Sequence, residues 1–267
     1  VSAVIGGTVT AGRSILVAAS TDSLLVNVAA AVGVGGTAGV TAIAVITYFY
    51  NETIAKVSAN ADLTALGGDI TIDADSVETV SGDAAGAAVG GTAGVGGTID
   101  IIITKVVTKA ITESNVKLTA VPLVSGTPSD INITADDAYS LVAIVVTLAG
   151  AGVAGVGVTI LVSVSFNTIE ASIGENNTVV AANDVLVQAS SNRDVLSIAA
   201  SFAGGGVAGV GVTLSAVVTG NHLSQDAHDA IYANQEQYVV EEGASTKTYN
   251  VYEDEDGTYY YRLLDDD

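Results

Sequence analysis

The sequence predicts an all-β protein: a parallel β-helix, or β-solenoid, of four repeats of about 55 residues with a C-terminal β-hairpin appendage. Three observations carry this. The glycines Gly39, Gly94, Gly155 and Gly209 are spaced 55, 61 and 54 residues apart, and the strand starts Ser14, Asp69, Asp130 and Asp184 have the same spacings. Two markers sharing one period indicate an internal repeat, and such repeats stack as quasi-one-dimensional coils. Val, Ile and Thr are abundant, with 30 glycines and two prolines, which suits strands joined by tight turns. Within a repeat the first strand alternates: Ile70, Ile72 and Ala74 share one face, and Asp69, Thr71, Asp73 and Asp75 the other.

A leading fragment (1–13) precedes repeats at 14–68, 69–129, 130–183 and 184–231, so that the solenoid covers 1–231 and an acidic, Tyr-rich tail covers 232–267. Each repeat is expected to supply two or three coils. At about 4.8 Å per coil, the four repeats then form a rod on the order of 40–60 Å long. The segment from Val121 to Ser129 contains both prolines of the chain and reads as a surface loop inserted between strands. Each acidic-edged strand leads into a glycine-rich run that is apolar on both faces, as in Leu141–Leu148. Such strands are expected to be covered on both sides. In the tail, 246–252 and 258–264 flank Glu253–Gly257 and read as a β-hairpin turning at Gly257. Asp265–Asp267 reads as the start of a solvated linker.

Eight basic residues against 29 acidic ones give a net charge of −21. Binding to phosphate backbones depends on Lys and Arg, so a nucleic-acid partner is excluded, and anionic headgroups repel such a surface. With no Trp, Met or Cys and three Phe, the core must be aliphatic, and disulfides and thiolate metal sites are excluded. The absence of Met even at position 1 predicts a mature or excised piece of a longer protein, and no signal-peptide pattern is visible.

Several patterns invite a site. Ser140–Phe166 is 27 uncharged residues, long enough for a membrane helix, but β-branched residues and glycines dominate it and basic flanks are missing. The runs 150–155 and 204–209 both match G-x-G-x-x-G, yet strand-like residues follow where a dinucleotide site needs a helix. His222 and His228, with Asp226 and Asp229, form either a polar turn or a metal or acid–base set, the turn being preferred. Asn51, Asn167 and Asn221 hold matching places and predict an asparagine ladder at a turn. Carboxylates at Asp73, Asp75, Asp136, Asp137, Asp254 and Asp256 are the candidate Ca²⁺ ligands, since Ca²⁺ prefers oxygen donors. Ca²⁺ is the sole cofactor they suggest, and a solvated acidic face is the alternative. Gly39, Gly94, Gly155, Gly209 and the tyrosines Tyr259, Tyr260 and Tyr261 are the expected self-association residues.

The pattern from Asp130-Ile-Asn-Ile-Thr-Ala through Ala-Gly-Val-Gly-Val-Thr to Asn167-Thr-Ile-Glu-Ala-Ser-Ile173 resembles the repeats of very large bacterial secreted adhesins. These are the leukotoxin-like and filamentous-haemagglutinin-like proteins. The resemblance covers residues 14 to about 231, departing at Val106 and Gln225, and the tail lies outside it. It implies a parallel β-helix exported to the bacterial cell surface for adhesion or filament formation, and it transfers no catalytic residue. The expected function is therefore a non-catalytic structural segment of an extracellular adhesin or self-assembling surface filament. Its expected partners are other copies of itself, laterally or end to end, and a host or cell-surface receptor. The alternative is a membrane-active secreted toxin segment. An enzyme is disfavoured, because polysaccharide-cleaving β-helices need clustered carboxylates with a basic residue in a groove, and the basic residues here are scattered.

Overall fold

The computed structural model describes residues 1–123 and 128–221 and, in the tail, the strands at 237–242, 245–253 and 259–263. The chain divides into two compact units, Val1–Asn221 and His222–Asp267.

In the first unit a short lead-in, β1 (Ser2–Ile5) and β2 (Thr8–Ala11), is followed by coils of two very long strands and one short one. The first coil is β3 (Ile15–Gly35), β4 (Ala38–Val57) and β5 (Asp62–Leu66). The second is β6 (Ile70–Gly90), β7 (Ala93–Thr112) and β8 (Lys117–Val121). The third is β9 (Ile131–Ala151), β10 (Ala154–Ile173) and β11 (Thr178–Ala181), and the fourth begins with β12 (Val185–Gly205) and β13 (Ala208–Asn221). Equivalent strands stack in three parallel sheets, ordered β1-β4-β7-β10-β13, β11-β8-β5-β2 and β12-β9-β6-β3. The architecture is a parallel β-solenoid.

One repeat makes one coil, not two or three. Ile15 pairs with Ile70, and Ile70 with Ile131, one full repeat apart each time. The predicted rod is correspondingly too long. Five stacked strands rise roughly 20 Å, whereas a 21-residue strand extends roughly 70 Å across the axis.

Each coil has two parts. Near its corners three sheets enclose a triangular body. The starts of β3, β6 and β9 send in Ile15, Ile70, Ile72, Ile131 and Ile133, the short strands send in Leu63 and Leu118, and the ends of β4 and β7 send in Ala55, Val57 and Ala110. The alternation read at Ile70, Ile72 and Ala74 holds: all three are buried. Beyond Ala19 and its equivalents no third wall remains. The two long strands run on face to face as a two-layer arm and reverse at a tight glycine turn.

The arm narrows towards its tip because its inward residues shrink. Near the body they include Tyr139, Leu141, Ile102 and Leu161, and at the tip they are glycines. A Cβ on Gly94 would land on the backbone of Gly150 in the facing sheet, and one on Gly152 on the carbonyl oxygen of Gly91 in the preceding coil. Close approach of backbones is therefore what these glycines serve. It also accounts for the two G-x-G-x-x-G matches, which lie on a strand–turn–strand with no helix after them.

Corners of the body are built differently. Asn60, Asn115 and Asn176 hold positive φ angles of 61°, 58° and 55°, and their turns stack through Asn60 N–H to Ser114 O (3.1 Å) and Asn115 N–H to Glu175 O (2.9 Å). Asparagine tolerates that conformation better than other residues with a Cβ. Of the Val121–Ser129 insertion, Val121 ends β8 and residues 124–127 lie outside the described residues.

The second unit pairs β15 (Ser245–Glu253) antiparallel with β16 (Tyr259–Leu263), the expected hairpin, and a third strand, β14 (Gln237–Glu242), pairs with the other side of β15.

Candidate association surface

The repeated acids at the strand starts have a structural use. Asp130 N–H donates to Asp69 Oδ1 (2.9 Å), Asp184 N–H to Asp130 Oδ1 (3.0 Å), and Asp69 N–H to Ser14 Oγ (3.1 Å). Each side chain thus caps the first amide of the next coil, where the ladder has not yet begun. The Asp184 backbone amide, which contributes most, and the Asn183 side-chain amide hold the Asp130 carboxyl below its ordinary range.

The Ca²⁺ candidates separate. Asp73, Asp75 and Asp136 lie on the outward face of β6 and β9, where Asp75 is in register with Asp136 and Asp73 accepts a hydrogen bond from Thr134. Asp137 points the opposite way, into the coil, and is buried. Among the described residues no three His, Cys, Asp or Glu side chains come together to hold a metal ion. Asp254, Asp256, His222 and His228 lie outside the described residues.

Where the body meets the arm, the interior is polar. Glu78 and Asp137 are buried there and linked through Ser76, whose hydroxyl lies 3.1 Å from Asp137 Oδ1 and 3.5 Å from Glu78 Oε2. Asn51 donates to Glu78 (2.5 Å), Asn167 to Asp137 (2.7 Å) and Ser191 to Asp137 (3.2 Å). Burial, reinforced by the neighbouring Asp137 carboxylate, pushes Glu78 up to about 7, while Asn51 and Ser76 stabilise its charged form. Of the asparagines expected to form a turn ladder, Asn51 and Asn167 are mid-strand instead, and Asn221 is the last residue of β13. Asn51 and Asn167 are separated by Val106, and each serves an acid of the facing sheet. The turn ladder exists at Asn60, Asn115 and Asn176, which repeat with the same spacings in the sequence.

Gly39, Gly94 and Gly155 are buried on the inward face, and Gly209 stacks on Gly155 in the same column. They let the two sheets of one arm approach closely, with a Cβ on Gly94 or Gly155 meeting backbone of the facing sheet. Tyr259, Tyr260 and Tyr261 are in β16, paired with β15, and their side chains are outside the described residues.

The residues between the glycines make the surface. On the arm, β4 presents Val40, Ala42, Ala44, Ile46 and Tyr48 outward, and Ile46 is 72% exposed. In register with these, β7 presents Val95, Gly97, Ile99, Ile101 and Ile103, and β10 presents Val156 to Val164 at alternate positions. The opposite sheet is also apolar outside, with Val28 68% exposed, but Ser81 and Asp83 interrupt it. There, Leu148 and Phe202 flank Gly150 and Gly204 around a groove of about 530 Å³. The glycine-rich runs were expected to be covered on both sides; the facing sheet covers one side and the other is exposed. Monomers rarely expose contiguous apolar area on this scale.

These features define a class: a wide-coil parallel β-solenoid with a two-layer arm that is apolar outside. Compared with protein families, curated proteins and solved structures, the chain matches none of them. No helix among the described residues is long and apolar enough to cross a membrane.

Proposed function

We propose that the chain is a non-catalytic structural segment of a bacterial extracellular adhesin or self-assembling surface filament. The observation that carries this reading is the pair of open edges. Among the described residues, β3 on the arm hydrogen-bonds only to β6, and β4 only to β7 except where β1 covers Ile54–Val57; β12 and β13 at the far end are, among the same residues, paired on one side only. Unpaired strand edges of this length are templates for further strands. The long strands of successive coils pair residue for residue, so further coils of this kind continue the ladder without a change of register. Inter-coil ion pairs, Lys56–Glu113 (2.8 Å) and Lys109–Glu170 (2.7 Å), favour the same stacking. Light scattering and negative-stain microscopy across a range of protein and Ca²⁺ concentrations test this. Elongated assemblies are expected, and a chain that stays monomeric throughout overturns it.

The exposed apolar faces favour a second reading, a membrane-active segment. Against it stand the same open edges, whose N–H and C=O groups lack partners in hydrocarbon. In liposome flotation the chain is expected to remain in the aqueous fraction, and co-flotation would favour the membrane reading instead.

A further inference from the structure

We propose that the outward face of β4, β7, β10 and β13 on the arm is a homotypic lateral interface, covered by the same face of a second copy of this chain. The inference deepens the assembly reading and rests on it, but it uses the sheet face rather than the strand edges.

Four properties of the face select a second copy as the occupant. The first is size. From Val40 to Tyr50 the outward run is roughly 35 Å long, and four strands are roughly 19 Å wide, giving about 700 Å² of flat area. A standard stable interface takes about 800 Å² from each partner.

The second is charge. The chain carries −21 in all, yet no Asp or Glu projects from this face between the tip and Glu52, and Lys105 appears only at the base beside Tyr50. Two copies repel each other wherever their acidic surfaces meet, so contact is favoured where charge is missing. The face on the other side of the arm carries Asp83 and is the weaker choice.

The third is surface relief. Rows of Val and Ile recur at the strand spacing, in register through four strands. A second sheet of the same pitch interdigitates with such rows about 10 Å away, as in sheet-on-sheet packing, and this chain presents a sheet of that pitch. The last is anatomy. The apolar centre, with Ile46, Ile101 and Val162, is bordered at its base by Tyr48, Tyr50 and Lys105, which matches the apolar core and polar rim of protein interfaces. A lipid occupant leaves the edges of β4 and β13, open among the described residues, unpaired in hydrocarbon.

The chain has no cysteine, so a single introduced thiol is a unique reporter. The test uses the full chain carrying Ile46→Cys, Ile101→Cys or Val162→Cys, with Ile144→Cys on the opposite face as control, under mild oxidation at a fixed protein concentration. A disulfide-linked dimer is expected at least tenfold faster from at least one of the three than from the control. Equal or slower crosslinking at all three overturns the lateral interface. A second variant, Ile101→Glu, is read by electron microscopy and sedimentation. Single-width assemblies of undiminished length, where the parent chain gives paired ones, are expected. Assemblies of unchanged width in Ile101→Glu overturn the lateral face while leaving end-to-end assembly standing. A parent chain that stays monomeric overturns both readings, and one that co-floats with vesicles unless Ile101→Glu is present assigns the face to lipid and overturns the second copy.

Discussion

In the triangular body, β9 sends Ile131 and Ile133 into a sealed core and turns Asn132 and Thr134 outward. Farther along the same strand, in the arm, Val145 points inward while Ile144 and Val146 point outward. One strand therefore follows two burial rules. The body has three walls and separates apolar from polar by alternation. The arm has two walls, and at the junction even buries Glu78 and Asp137 while exposing valine and isoleucine. Apolar residues placed outside contribute little to folding the coil that carries them. Their presence on so many stacked positions is intelligible if something else covers them.

The sharpest way to break this comparison is to make one substitution in both regions of one strand. Ile133→Ala removes a fully buried side chain packed between neighbouring coils and is expected to cost about 2–5 kcal/mol. Ile144→Ala, outward in the arm and 38% exposed, is expected to cost below about 1 kcal/mol in the monomer. Urea unfolding of both variants at low protein concentration measures the difference, and equal losses would mean that the outward arm face is already covered.

A second substitution probes the arm's interior from the opposite direction. Asp100 is buried among the inward residues of β7, between Val45 and Leu161 in adjacent coils, and its carboxylate has no side-chain hydrogen-bond partner, the Ile101 backbone offsetting only part of its burial. Burial, with the nearby charge of Asp83, raises its pKa. Replacing an incompletely satisfied buried acid by an apolar residue of similar size removes a desolvation cost, so Asp100→Val is expected to stabilise the protein by about 1–3 kcal/mol. A loss of stability in thermal unfolding would show that the carboxylate is solvated or paired in solution.

The body was legible in the sequence because its rules are strict. A period of two with acids on one face left a single orientation for Ile70, Ile72 and Ala74, and a repeated Asp marked each strand start. The arm was not legible in the same way. In Leu141–Leu148 both faces are apolar, so period-two reading cannot say which side faces the partner sheet. The spacing of the glycines shows only that backbones approach closely, and not that the backbones belong to the two sheets of one arm. The number of coils per repeat failed for a related reason: a strand of 21 residues lies far beyond the usual length, and a 55-residue repeat is ordinarily divided into several short strands. Asn60, Asn115 and Asn176 carried the correct turn signal at the repeat spacing, but Asn51 and Asn167 matched the glycine anchors more visibly.

The polar junction between body and arm gives a pH-dependent test of the same comparison. Glu78 is raised from 4.5 to about 7, so between those values the folded protein holds a proton that the unfolded chain has released. Stability is therefore greatest below about 4.5 as far as this group is concerned, and falls as pH rises through about 7. Allowing for solvent screening, the loss is on the order of 1–2 kcal/mol. Asp75 and Asp100 shift in the same direction, so the parent protein's slope is a sum. The contribution of Glu78 is the part of the slope that Glu78→Gln removes. Unfolding both proteins in urea at pH 5 and pH 8 measures it, and parallel pH profiles would place Glu78 in a solvated environment.

The smallest expected effect separates the two kinds of turn. The arm's tip turns need glycine for space, since a Cβ on Gly152 meets the carbonyl of the coil below, whereas the body's corners need a residue that tolerates positive φ. At a corner a side chain has room, and only the backbone conformation is costly. Asn115→Ala keeps the space unchanged and loses asparagine's tolerance of the left-handed region, so about 1 kcal/mol of destabilisation is expected. Asn115→Gly removes the steric conflict altogether while adding freedom to the unfolded chain, so its expected change is within a few tenths of a kcal/mol. The order Asn ≈ Gly > Ala in thermal unfolding identifies a conformational requirement. If Ala equals Asn and Gly falls below both, the corner is held by packing, and the distinction between corner and tip turns disappears.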